Sequence, residues 1–252
     1  MLLEETIQKL LELKLTTMAQ CVRELVDAPP EQQLSWQERL GIIVDREWAE
    51  RDHRRLARRI KDAKLVTNAC IEDVICEPSR GLEKVQLRHF ATCQWVQAHQ
   101  NIILLGATGV GKSFLAAAFA QAACRRGAHA LFARVPRLVE ELALARASGT
   151  YTRELGRIAK IEVLVLDDFL IAPLKDAERR DLLEILEDRY DRACTIITSQ
   201  IPTKTWHDAL GDPTIADAIC DRLVHNAHVV QLRGGSMRKR KAIPTNPTNQ
   251  SD

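Results

Sequence analysis

Hydrophobic spacing divides this chain into two styles. From the N-terminus, Leu3, Ile7, Leu10, Leu11 and Leu15 fall on one helical face. A second short helix is expected from Thr17 to Val26, and Pro29-Pro30 then breaks the chain. Ser35-Trp36-Gln37-Glu38 reads as a capping box opening a long helix, with Leu40, Ile43, Val44, Trp48, Leu56 and Ile60 as its expected buried stripe. Further on, the pattern changes to short apolar runs alternating with amphipathic ones. The runs at 101–105, 128–133, 161–166, 193–198 and 227–232 read as strands. Helices are expected between them at 114–120, 136–144, 152–160, 177–191 and 213–223, with one more from Leu82 to Gln97 ahead of the first strand. On the helix after 177 the apolar face is Leu182, Leu183, Ile185, Leu186 and Tyr190. Strands that are continuously apolar and alternate with helices predict a buried parallel sheet in an α/β domain with helices on both faces.

The turn between the first strand and its helix carries chemistry. Gly106-Ala107-Thr108-Gly109-Val110-Gly111-Lys112-Ser113 matches the P-loop pattern, and it sits in the strand–turn–helix setting that pattern requires. Glycines let backbone N–H groups close around phosphate oxygens, and the helix N-terminus adds partial positive charge. The stretch Gly106 to Phe114 is therefore the candidate ATP cradle, with Lys112 on the β- and γ-phosphates and the Ser113 hydroxyl on Mg2+. Downstream, Ile161 to Leu166 ends in Asp167-Asp168, an apolar strand finishing in acids. In an open α/β sheet the ligand lies beyond the strands' carboxyl ends, so Asp167 is placed to hold the metal and Asp168 to polarise an attacking water. Gln200 closes the strand Ala193 to Ser199 and is a candidate to orient that water or sense the γ-phosphate, with Thr198 and Ser199 as local rivals. The connector at 65–80 precedes the first core strand, where P-loop folds often pack the base, and position alone assigns no contact residue there.

Composition narrows the setting. A net charge of +2 over 252 residues does not mark a nucleic-acid binder, so local clusters must carry that case. One such cluster is Arg51, Arg54, Arg55, Arg58, Arg59, Lys61 and Lys64, either a solvated helix face or a surface for DNA or an acidic partner. Seven cysteines without a C-x-x-C pair suggest reduced thiols in a cytoplasmic protein, with zinc and disulfides not expected. The N-terminus lacks the basic region of a signal peptide, and no apolar run approaches membrane-spanning length.

The motifs in this order, GATGVGKSFLA, LVLDDF, TSQIP and DRL before the last strand, resemble the IstB/DnaC branch of the AAA+ ATPases, and the IstB-like proteins of insertion sequences above all. The resemblance implies a helical adaptor over 1–66 and an AAA+ ATPase domain over 67–242 with a truncated lid, while the composition of 243–252 reads as a disordered tail. It implies that Lys112, Asp167, Asp168 and Gln200 serve hydrolysis, that Arg222 reaches a neighbouring subunit's nucleotide as an arginine finger, and that Arg238 is a sensor-2 arginine. The paired helices over 136–160 resemble the initiator-type insertion, which makes Arg137, Arg146, Arg153 and Arg157 candidate DNA contacts. The family commonly has glycine in the turn after its second acid, where this chain continues Phe169-Leu170. The implied activity is ATP hydrolysis by a homo-oligomer on duplex DNA, assisting a transposase in target selection. A helicase loader of DnaC type, a P-loop small-molecule kinase and a nucleotide-gated scaffold with negligible turnover are the rivals.

Overall fold

The computed structural model describes residues 2–27 and 34–237. The chain divides into two compact units, Met1–Arg58 and Arg59–Asp252, the division falling inside a long helix rather than at residue 66.

In the first unit α1 (Leu2–Glu12) packs on α2 (Thr16–Val26), and α3 (Trp36–Asp62) runs on into the second unit. The capping box at Ser35 forms: its N–H donates to Glu38 Oε2 at 2.7 Å, and Glu38 N–H donates to Ser35 Oγ at 3.3 Å. The expected stripe on α3 does not bury. Leu40 and Val44 are 43% and 47% exposed, and Trp48 is 71% exposed. The buried residue on that helix is Glu47, whose Oε2 accepts the backbone N–H groups of Thr17 and Met18, both at 3.1 Å. A carboxylate satisfies the unpaired donors at the start of α2, which no apolar side chain can do.

The second unit holds a five-stranded sheet, all of it parallel, in the order β2-β3-β4-β1-β5. The strands are β1 (Asn101–Leu105), β2 (Ala130–Arg134), β3 (Val163–Phe169), β4 (Cys194–Ser199) and β5 (Ala227–Gln231). β1, β3 and β4 are buried along almost their whole length, as unbroken apolar runs demand. One face is covered by α6 (Lys112–Arg125), with α4 (Lys84–Ala91) against it through Phe90 and Phe119, whose rings lie 4.9 Å apart. The other face carries α7 (Val135–Ala147), α8 (Tyr151–Ala159), α9 (Asp176–Arg189), α10 (Trp206–Leu210) and α11 (Pro213–Val224), which share one core with Ile103, Leu164, Leu166 and Ile197.

Two sequence expectations change here. The helix expected over 82–97 is two pieces, α4 and α5 (Gln94–Gln97), because Cys93 turns left-handed at φ 57°. On α9 Tyr190 is half exposed, and Arg189 is buried in its place. Its guanidinium donates to the carbonyls of Ile158, Ile161 and Cys194, which close the ends of two neighbouring elements, and burial lowers its pKa to about 10.

Candidate functional site

All of the site's parts stand at the carboxyl ends of β1, β3 and β4. The central order β3-β4-β1 sets the acids of β3 and the polar end of β4 beside the turn after β1. That turn needs its glycines. Gly106 has φ 148°, and a Cβ there would lie 2.5 Å from the Leu232 carbonyl oxygen. The loop is pinned on two sides: Gly106 N–H donates to Ser199 O at 3.2 Å, and Met237 N–H donates to Gly109 O at 2.8 Å.

Lys112 opens α6 and is only 7% exposed. Its ammonium donates to Gly106 O at 2.7 Å and Ala107 O at 3.0 Å, so it lies folded across the loop. Burial lowers its pKa, and the carboxylates of Asp168 and Asp167 pull the other way. One residue on, Ser113 Oγ donates to Asp167 Oδ1 at 2.8 Å. The same carboxylate oxygen accepts Thr198 Oγ1 at 2.6 Å, and that hydroxyl in turn accepts Asp168 N–H at 3.0 Å. Asp167 is 3% exposed and is thus fixed from two strands and a helix. A hydroxyl and a carboxylate oxygen meeting beside a phosphate-type loop form the hard-oxygen pair that Mg2+ prefers, with substrate phosphates and water completing its shell.

Asp168 points differently. Its backbone is left-handed at φ 58°, and Oδ2 accepts Arg134 Nη2 at 2.5 Å and Nε at 3.1 Å. Leu170, where the family commonly has glycine, is also left-handed at φ 56°, a conformation that costs an L-residue about 1–2 kcal/mol. Its side chain is 9% exposed within the core that includes Phe169, which offsets that cost. Gln200 Oε1 accepts Thr108 Oγ1 at 2.9 Å, joining the end of β4 to the P-loop, whereas Ser199 Oγ turns to the Phe169 carbonyl at 2.9 Å.

Of these groups, Thr108, Lys112, Ser113, Asp168 and Gln200 line a cavity of about 660 Å³, a size that suits a nucleotide. Beyond the P-loop it is walled by Leu82, Leu232 and Met237 and by the connector, which forms a shelf that is apolar at Val74 and Ile75 and polar at Thr67, Asn68, Asp73 and Arg80. Sequence reasoning named no residue in the connector. It also missed Arg80. Its guanidinium donates to Val110 O at 2.6 Å and Ile75 O at 3.2 Å, tying the shelf to the P-loop. Arg134, not among the residues expected at the site, is the last residue of β2, paired in register with Asp167.

The structure brings Lys112, Ser113, Asp167, Asp168 and Gln200 together and leaves Arg222 apart. Arg222 is on α11, where Nη2 donates to Glu187 Oε1 at 2.8 Å and Nη1 to Ala218 O at 3.0 Å, and it does not line the cavity. The four insertion arginines differ among themselves. Arg137 pairs with Glu141 and Arg157 with Glu154, both on their own helices, and Arg153 approaches Glu154 at 3.8 Å. Arg146, its side chain 55% exposed, pairs with buried Asp181 and lies 4.0 Å over the Tyr151 ring. Arg238 and the segment 243–252 lie outside the described residues.

Comparison with known proteins gives the family. Residues 8–244 match the family model described as IstB-like ATP binding protein. The chain is 46% identical over 239 residues to the putative insertion sequence ATP-binding protein y4pL of Sinorhizobium fredii, covering 95% of this chain and 98% of the relative. It is 41% identical over 206 residues to the putative ATP-binding protein of insertion sequence IS1162 from Pseudomonas fluorescens, covering 81% and 89%. Among solved structures, the DnaC helicase loader superposes with a TM-score of 0.54 at 21% identity, over 68% of this chain and all of that one, a likeness of fold.

Proposed function

The chain belongs to the IstB-like ATP-binding proteins, and from that premise we propose that it binds ATP with Mg2+, assembles on duplex DNA, and in that state assists a transposase in target selection. One observation carries the reading. Lys112, Ser113 and Asp168 line one cavity, Asp167 is bonded to Ser113, and Arg222 is held outside the cavity. In this reading Arg222 of a neighbouring copy completes the phosphate site, so turnover depends on assembly.

In this reading Lys112 leaves the carbonyls of Gly106 and Ala107 for the β- and γ-phosphates. Ser113 and Asp167 hold the metal, which supplies charge neutralisation on the phosphoryl oxygens. Asp168 accepts the proton of a water attacking the γ-phosphorus, and Gln200, already fixed by Thr108, positions that water. Arg222 of the next copy meets the charge that develops on the departing phosphoryl group. Among the described residues no helix is long and apolar enough to cross a membrane.

Electron microscopy of the full chain with duplex DNA and a non-hydrolysable ATP analogue tests the assembly. A multi-subunit particle with Arg222 at a neighbour's nucleotide is the expected result, and a protein that stays single under those conditions overturns it. Capture by the transposase partner, set against capture by a replicative helicase, separates target selection from helicase loading.

A further inference from the structure

The nucleotide cavity lies at the carboxyl ends of the strands. A second and much smaller cavity lies at the opposite, amino ends, where β1 and β4 begin. Its volume is about 20 Å³, room for one particle the size of a water molecule. Asn101 and Thr195 wall it at the strand starts, Arg189 and Asp191 at the end of α9, and Arg222 on α11, with His99 beside them.

Arg189 sets this cavity apart. The side chain is 1% exposed. Its Nη groups donate to the carbonyls of Ile158, Ile161 and Cys194, whereas Nε is buried and meets no acceptor among the described residues. Carbonyls satisfy N–H groups but leave the net charge in place. No acid pairs with this guanidinium among the described residues, and a buried cation without a counter-charge is costly, which is why buried charges are ordinarily paired.

The other groups around the cavity do not supply that pairing. Asp191 is exposed to solvent. Asn101 spends its amide on the backbone, donating to Arg222 O and Leu223 O and accepting the Thr195 N–H. Arg222 brings a second guanidinium, and its acid, Glu187, does not line the cavity. Two guanidiniums therefore share the wall of one small cavity, and the buried one has an N–H to give. A water molecule would satisfy Nε and bring no charge. A monatomic anion meets both needs within that volume, whereas sulfate, phosphate and carboxylates are too large for it.

We propose that this cavity is a binding site for a halide-sized anion such as chloride, held by Arg189 Nε with Arg222 beside it. The site shares no residue with the ATP cavity, and it does not depend on Arg222 acting in a neighbour's site.

The melting temperature of the full chain in chloride, bromide and sulfate at equal ionic strength tests this. Sulfate strengthens apolar burial in proteins generally, so a larger gain from a halide marks a specific site. A rise of about 5 °C is expected over a hundredfold range of chloride or bromide, with a smaller gain in sulfate. Crystals grown in bromide are expected to show an anomalous peak beside Arg189 Nε. Arg189→Met keeps much of the volume, removes the charge and is expected to lose the halide effect; should that variant fail to fold, the bromide peak and the salt order of the wild type decide. Water alone in the cavity, with sulfate the better stabiliser, overturns the proposal. A bromide peak without the halide gain is an adventitious ion only and overturns it too, as does an Arg189→Met protein that keeps the full halide effect.

Discussion

Arg134 donates Nε and Nη2 to a single oxygen of Asp168, Oδ2, at 3.1 and 2.5 Å. The pair joins the end of β2 to the end of β3, and the next residue along the chain opens α7, the first helix of the insertion. A carboxylate oxygen bonded twice to a guanidinium is occupied and less able to take a proton from water. The arginine's own pKa is raised, first by its hydrogen bond to Asp168. Removing it is expected to release the acid. Arg134→Ala should raise ATP hydrolysis without DNA about fivefold, the equivalent of an ion pair worth ~1 kcal/mol at a partly exposed position. The ratio of DNA-stimulated to basal rate should fall accordingly. Steady-state hydrolysis with and without duplex measures both, and a lower basal rate in the variant would mean that Arg134 supports catalysis instead of restraining it.

Thr198 offers a second handle on the same acids. Its hydroxyl donates to Asp167 and accepts the N–H of Asp168, so one side chain sets the metal-side carboxylate and the backbone of the next residue. Thr198 is fully buried. Thr198→Val keeps the shape and leaves both partners short of a bond, a loss of about 1–3 kcal/mol. The expected result is a protein that still binds ATP, melts several degrees lower, and gains less affinity from Mg2+ than the wild type does. Titration of ATP with and without Mg2+ reads this directly, and an unchanged Mg2+ effect would show that Ser113 and the loop alone set Asp167.

What the residues made legible was the frame that local pattern controls: the five strands, the P-loop, the acids at the end of the third strand and the paired helices that follow the second. Each rests on neighbours in sequence. What stayed out of reach depends on partners far along the chain. Arg134 was visible only as one basic residue among several, because its role follows from strand order. Arg80 looked like punctuation, although it braces Ile75 and Val110. Glu47 broke the periodicity argument on α3, since a helix start elsewhere needed its carboxylate more than the core needed its neighbours. Leu170 shows the limit of a family pattern: a leucine holds the left-handed turn because its side chain is buried.

Arg80 should couple the base shelf to the phosphates. Arg80→Met removes its bonds to Ile75 O and Val110 O but keeps most of the aliphatic stem. The expected effect is a loss of preference among nucleoside triphosphates larger than any loss in melting temperature. Competition of ATP with GTP and CTP for binding reads the preference. Equal weakening of all three would show that Arg80 only stiffens the P-loop.

Glu187 holds Arg222 in the single chain through a bond of 2.8 Å with the arginine side chain 27% exposed. If the arginine acts in a neighbour's site, that bond must open on assembly. Glu187→Gln weakens the hold and keeps the shape. Specific ATPase activity should then reach its plateau at lower protein concentration than in the wild type, and Arg222→Ala should show no rise with concentration at all. A concentration profile of Arg222→Ala that matches the wild type would remove the shared site.

The insertion arginines should separate into two kinds under the same assay. Arg146 meets Asp181, a carboxylate 4% exposed on its side chain, and packs on Tyr151. Arg146→Ala strands that acid with the Tyr151 hydroxyl as its nearest donor and should cost about 2 kcal/mol, or ~5 °C in melting temperature, with little change in the salt dependence of DNA affinity. Arg137 and Arg153 are 79% and 77% exposed on their side chains, and their acidic partners are exposed or shared. Each of these that contacts a phosphate should lower the slope of log affinity against log salt by about 0.9 when replaced, with the melting temperature unmoved. Arg157, held by Glu154 at 2.9 Å and 45% exposed, must give up that bond to reach DNA, so its replacement should shift the slope least of the three. Slopes that stay the same in all three variants would place the duplex on another face of the protein and leave these side chains to solvent.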